Sequence, residues 1–274
     1  MRRAVLLLVL ALGLGTVGES RGAGLAPLIA AHRGGAGLWP ENSLLGFRSS
    51  LGLGVDVLEF DLHLSADGEI VVIHDPTLER TTTGTGPVRG ARLGDLRALR
   101  LRARDGGVTG EAVPTLAEVL ALAAGNMVEV MPEIKAGPER TRYEGIEEKV
   151  LALLRSRGML GRATVQAFDA ATLERARALE PAVRTMLLVG RGRVEQERAQ
   201  PGDAVGWARK AGVTDLGMDH RLIDAGIVAA ARKAGIRLSA WTVNEEADLR
   251  RMIDVGVDVI MTDYPDRAKR ILGR

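Results

Sequence analysis

Val57-Leu58-Glu59-Phe60-Asp61-Leu62 places two carboxylates two residues apart inside an apolar run. In a strand, alternate residues face the same way, so Glu59 and Asp61 share one face. Around this run lie other short aliphatic segments: Leu28–Ala31, Ile70–Ile73, Met127–Glu133, Ala163–Phe168, Arg184–Val189, Thr214–Met218, Arg237–Thr242 and Asp258–Met261. Amphipathic stretches separate them, among them Ser43–Gly52, Leu116–Ala124, Tyr143–Ser156, Ala170–Leu179, Leu222–Lys233 and Glu245–Ile253, with Gly158, Pro181, Gly235 and Gly256 at the joins. Repeated strand–helix alternation argues for parallel β/α construction. With Ile70–Ile73 read as an irregular addition, the strands number about eight, the count of a (β/α)8 TIM barrel. An open sheet wants a phosphate loop after its first strand, and HRGGAG (32–37) fits neither GxGxxG nor GxxxxGK[ST]. Pro76–Pro114, rich in Thr, Arg and Gly, has little periodicity and reads as an insertion able to cap one mouth of the barrel.

In a barrel, working residues gather at the C-terminal ends of the strands. Here strand after strand ends in polar residues: His32-Arg33, Glu59-Phe60-Asp61, His74-Asp75, Glu133-Ile134-Lys135, then Gln166, Trp241 and Asp263. Buried carboxylates repel unless a cation or proton relieves them. Hard oxygens from Glu59, Asp61 and Glu133 suit Mg²⁺ or Ca²⁺; the alternative is pairing with arginines such as Arg33, or a place on an edge strand. His32 and His74 could supply an acid and a base to a phosphorus between them, or be structural. His63 continues the alternation of Glu59 and Asp61, and is equally readable as a histidine satisfied by a neighbouring carboxylate. His220 precedes a helical pattern and reads as solvated or as a cap. Arg33 and Lys135 are the cations nearest the acids, suited to phosphate oxygens or to neutralising the carboxylates. In Pro40-Glu41-Asn42-Ser43, Asn42 or Ser43 reads as a helix N-cap, with Glu41 or Asn42 otherwise free to orient a metal or histidine at the mouth.

Composition narrows the chemistry. Hydrophobic residues make up 46% and charged residues 26% of 274, the balance of a globular protein with a sizeable core. Cysteine is absent, which excludes disulfides, thiolate metal sites and thiol nucleophiles. The net charge of +2 is carried by residues 1–24, so the remainder is neutral and offers no footprint for nucleic acid or anionic membrane. Those first residues, MRRAVLLLVLALGLG followed by TVGESRGAG, have the plan of a secretory signal peptide and are too short to span a bilayer stably. Export to the periplasm or beyond is expected, with no stable membrane anchor and one catalytic domain over 25–274; if the leader is not a signal, the protein stays in the cytoplasm.

The assembled motifs resemble the glycerophosphodiester phosphodiesterase family, within the phospholipase-C-like TIM-barrel phosphodiesterases. The matching pieces, in the family's order, are AHRG (31–34), PENS (40–43), LEFDLHLSADG (58–68), HDPTLERTT (74–82), PEIK (132–135), QAFD (166–169), AWTVN (240–244) and MTDYPD (261–266). The resemblance implies a barrel with an insertion at about 75–115, and one divalent cation on Glu59, Asp61 and Glu133. It further implies acid–base catalysis by His32 and His74, and substrate contacts from Arg33, Lys135 and Trp241. The implied reaction converts a small-molecule glycerophosphodiester to sn-glycerol 3-phosphate and an alcohol. PENS replaces the usual PENT, and Ala167 and His63 stand where Ser and Gln are frequent. Two rivals are a phospholipase-D-like or lyase barrel acting on lysophospholipids or sphingomyelin, and a non-catalytic exported protein that binds glycerol phosphate.

Overall fold

The computed structural model describes residues 26–274, and the leader expected over 1–24 lies outside them. Strands β1 (Leu28–Ala31), β2 (Val57–Leu64), β3 (Ile70–Val72), β4 (Glu129–Ile134), β5 (Thr164–Ala167), β6 (Arg184–Val189), β7 (Asp215–Asp219), β8 (Arg237–Trp241) and β9 (Val259–Thr262) form one sheet. Eight are parallel and close on themselves: β1 pairs with β9 through Leu28↔Val259 and with β2 through Ala30↔Val57. The result is the expected (β/α)8 barrel. β3 alone runs antiparallel, against the end of β2 through His63↔Val71.

Helices α1 (Leu44–Leu53), α2 (Leu93–Ala98), α3 (Leu116–Ala124), α4 (Ile146–Ser156), α5 (Ala170–Leu179), α6 (Arg191–Gln196), α7 (Asp203–Lys210), α8 (Ala225–Lys233), α9 (Glu246–Val255) and α10 (Pro265–Ile271) complete the chain. Their starts follow from side-chain capping. Ser43 accepts from the Gly46 N–H at α1, Asp224 from the Ile227 N–H at α8, and Thr115 and Glu118 form a reciprocal capping box at α3. The short α6 and α7 fill the β6–β7 connection.

With few aromatics available, the barrel interior is packed by Ala30, Val57, Met131, Met186, Leu188 and Met261. The flexible methionines fill an irregular space that branched side chains would leave partly empty. Gly217 on β7 is needed there, because a Cβ would sit 2.7 Å from a Leu188 methyl. At the N-terminal pole the inward positions are charged: fully buried Asp215 accepts from Arg237 Nε at 2.6 Å and Arg184 Nη2 at 2.8 Å, and Arg237 also reaches Glu129 at 3.1 Å. At the other pole, the segment between β3 and α3 builds a small core of its own from Ile73, Leu78, Val88, Leu96, Leu101 and Val113.

Candidate active site

The register of β2 and β4 builds the acidic centre. Asp61 lies opposite Glu133, and Glu59 opposite Met131, so three carboxylates face the barrel axis near its C-terminal mouth. Glu59 is 1%, Asp61 0% and Glu133 7% exposed, and one oxygen from each lies within 4.8 Å of the others. Burial pushes Glu59 and Glu133 above the usual carboxylate range; His32 opposes this at Glu59 and Lys135 at Glu133. Burial would raise Asp61 too, but Lys135 and Arg33 outweigh it and hold this acid ionised. Lys135 Nζ sits 2.8 Å from Glu133 and 3.4 Å from Asp61 Oδ1, yet that oxygen accepts no hydrogen bond from the described residues. Buried, mutually repelling, all-oxygen donors with an unsatisfied lone pair fit a hard divalent cation.

Neighbouring groups fix the triad. Gln166 on β5 donates to Glu59 Oε1 at 2.7 Å, and the Arg33 N–H donates to Glu59 Oε2 at 2.8 Å. Asn42 donates from Nδ2 to Asp61 Oδ2 at 2.9 Å while its Oδ1 accepts from the Asp61 N–H. Ser43 is therefore the cap of α1, and Asn42 orients an acid. Arg33 and Asn42 both hold positive φ, at 51° and 54°, a cost of order 1 kcal/mol each that an active site tolerates. The Arg33 turn continues into Gly34, where a Cβ would meet the Phe47 ring at 2.9 Å.

The two histidines arrive by different routes. His32 leaves β1 directly, and its Nδ1 bonds Asp263 Oδ1 at 2.7 Å while Nε2 lies 3.9 Å from Glu59. Asp263 is held by Asn244, whose Nδ2 donates to it at 2.7 Å. His74 comes back along β3, where the Ile73 N–H donates to the Asp61 carbonyl at 3.0 Å and so sets the next residue beside the acids. Its Nδ1 bonds Asp75 Oδ1 at 2.6 Å, and Arg80 grips Asp75 through Nε and Nη2 and Glu41 through Nη1 and Nη2. Burial lowers His32, but Glu59 and Asp263 outweigh it and the net shift is upward; burial, aided by Lys135 and Arg33, keeps His74 below its ordinary value.

Other candidates fall into place around these. Arg33 reaches Glu41 at 3.2 Å and Asp61 at 3.5 Å. Trp241 stands across the mouth, edge-to-face with the half-exposed Phe168 at 5.7 Å, and its indole N–H is buried without a partner. His63 points away from the triad's chemistry: Nε2 donates to the His74 carbonyl at 3.1 Å, so Nδ1 accepts from the Tyr143 hydroxyl at 2.7 Å. Neither partner is the carboxylate anticipated for it. His220 is buried against Arg251, neither solvated nor a cap: Asp224 caps α8 and Asp219 caps the turn that holds His220. The sequence marks Asp263 as a polar strand ending, but not that it, Asn244 and Arg80 stand behind the histidines. The cue for Asp263 and Asn244 is the DYPD and VN polar endings beside the last strands, adjacent to β1 only once the barrel closes.

Residues 32–267 match the model of the glycerophosphoryl diester phosphodiesterase family. A glycerophosphodiester phosphodiesterase from Caldanaerobacter subterraneus subsp. tengcongensis is 34% identical over 87% of this chain and 95% of its own. The fold matches a solved chain from Agrobacterium tumefaciens with TM-score 0.82 and 30% identity, covering 90% of this chain and 97% of that one. It also matches a phosphodiesterase from Oleispira antarctica, solved in complex with the product sn-glycerol-3-phosphate, with TM-score 0.74 and 25% identity over 91% and 98%. Family model, sequence relatives and fold agree with one another: the chain belongs to the glycerophosphoryl diester phosphodiesterase family.

Proposed function

We propose that this phosphodiesterase hydrolyses glycerophosphodiesters to sn-glycerol 3-phosphate and an alcohol, with one divalent cation, Ca²⁺ or Mg²⁺, on Glu59, Asp61 and Glu133. The observation that carries the reading is the convergence, at one mouth, of two carboxylate-buttressed imidazoles on a buried acidic triad. A cation there supplies charge stabilisation to the phosphoryl oxygens. Arg33 and Lys135 add fixed positive charge beside the same oxygens. Trp241, edge-to-face with Phe168, offers a flat apolar wall to the bound substrate.

The Nδ1 contacts with Asp263 and Asp75 leave Nε2 of each imidazole as the nitrogen for proton transfer. One histidine takes the proton of the nucleophile, either water or the glycerol 2-hydroxyl by way of a cyclic phosphate. A new P–O bond forms, the P–O bond to the alcohol breaks, and the second histidine returns a proton to the departing alkoxide; on the cyclic route water then bonds to phosphorus, the P–O bond to the glycerol 2-oxygen breaks, and that oxygen takes up a proton. The leader is part of the same proposal, directing the enzyme out of the cytoplasm to meet its substrate.

The test is product analysis over glycerophosphodiesters with choline, ethanolamine, glycerol or inositol as the alcohol, before and after chelation. Free glycerol 3-phosphate, lost with EDTA and restored by Ca²⁺ or Mg²⁺, is the expected result. A cyclic lipid phosphate from lysophospholipid would favour the lyase rival, and binding without product the non-catalytic one. Full activity after rigorous chelation removes the metal from the reading.

A further inference from the structure

The mouth has two unlike sides. Trp241 and Phe168 form an aromatic side. Opposite in character, a cavity of about 470 Å³ opens beside His32 and Arg33 and is walled by Arg80, Thr81, Arg102 and Arg104 of the insertion. Arg33 and Arg80 are already matched by Glu41, Asp61 and Asp75. Arg102 and Arg104 are held differently. Arg102 donates from Nε to the Thr82 carbonyl at 2.9 Å and from Nη1 to the Gly106 carbonyl at 3.2 Å. Arg104 donates from Nη1 to the Tyr264 hydroxyl at 2.7 Å, with its guanidinium 5.7 Å from that ring's centre.

Neutral acceptors hold both guanidiniums without cancelling their charge, and among the described residues neither forms an ion pair with a carboxylate. Asp105, between them in sequence, turns its oxygen onto the Gly107 N–H at 2.9 Å. The two carboxylates in the cavity wall, Glu41 and Asp263, are committed to Arg33, Arg80 and His32. Thr81 adds a buried hydroxyl that has no hydrogen-bond partner among the described residues. Two positioned guanidinium forks with free N–H groups, beside an unpartnered hydroxyl, are the donors a phosphate group takes.

We propose that this side of the mouth is a subsite for a second anionic group on the alcohol portion of the substrate. The enzyme then prefers glycerophosphodiesters whose alcohol itself bears a phosphate or phosphodiester over those bearing a quaternary ammonium. This rests on the hydrolytic reading above. A neutral glycerol arm has no use for two unpaired cations, and a choline arm is repelled by them.

The test measures kcat/KM for release of glycerol 3-phosphate from bis(glycerophospho)glycerol, glycerophosphoglycerol and glycerophosphocholine. At low ionic strength the doubly anionic substrate should exceed the choline ester by about tenfold or more, and the margin should shrink with added salt. The Arg102→Glu, Arg104→Glu double variant should lower that ratio at least tenfold and raise turnover of glycerophosphocholine, a gain that misfolding cannot produce. Equal kcat/KM for the three wild-type reactions, or a ratio untouched by the charge reversal, overturns the subsite alone. No product from any of them overturns the hydrolytic reading, and the subsite with it.

Discussion

Each imidazole at the mouth has a carboxylate on Nδ1, and each of those carboxylates is itself held, Asp263 by Asn244 and Asp75 by Arg80. Such buttressing fixes ring orientation and raises basicity, so the loss of either ring removes a positioned proton carrier without opening the acidic triad. His32→Ala and His74→Ala should each lower kcat by about 10²–10⁴-fold, while calorimetric titration still detects cation binding. Near-normal turnover in either variant would take that histidine out of the mechanism. The triad and both imidazoles were readable in the chain because strand alternation and strand endings announce inward polar groups. Asn42 and the polar ending at Asp263 were readable too, but not which histidine Asp263 supports. Asp263 lies 231 residues from His32, and only barrel closure makes them neighbours.

One histidine ties elements together instead of serving the chemistry. His63, at the end of β2, joins the carbonyl of His74 after β3 to Tyr143 ahead of α4, with both ring nitrogens occupied. Burial lowers its pKa from 6.5 to about 4, because the folded state has no room for the imidazolium. Between those values the unfolded chain binds a proton that the native chain does not. Stability is therefore intact above pH 6.5 and falls as the pH drops toward 4, by at most about 3 kcal/mol. Glutamine can donate to the carbonyl and accept from the hydroxyl without titrating. His63→Gln should thus lose this component, seen as a smaller difference between urea unfolding free energies at pH 7.5 and 4.5. An unchanged difference would assign the slope to other groups. At this scale the long amphipathic helices and the strands were legible to within a few residues. α6 and α7 were not, since six and eight residues interrupted by Gly192 and Gly206 carry too little periodicity.

Across the whole molecule the two ends of the barrel do opposite work with the same materials. At the mouth, acids outnumber what Lys135 and Arg33 can satisfy, leaving an oxygen free. At the base, Asp215 is matched by Arg184 and Arg237, with Thr214 donating to its second oxygen at 2.6 Å. Removing one member of such a set strands buried charge, so Asp215→Ala should cost about 3–5 kcal/mol in urea unfolding. The surviving folded fraction should keep its turnover, because the lesion lies at the pole remote from the reacting groups; a stability loss below 1 kcal/mol would mean that water already reaches the plug.

The placement of the acidic triad on β2 and β4, and of the arginine rim on the insertion, has an evolutionary corollary. A one-residue slip within either strand would turn Glu59, Asp61 or Glu133 outward into the helical layer, so the hydrolytic apparatus is locked to the shear of the barrel. The rim hangs on the insertion between β3 and α3, which is packed on a small separate core. Lineages can therefore exchange appetites by rewriting the Arg102–Arg104 edge of this trim, while Arg80, the brace of Asp75, has to stay.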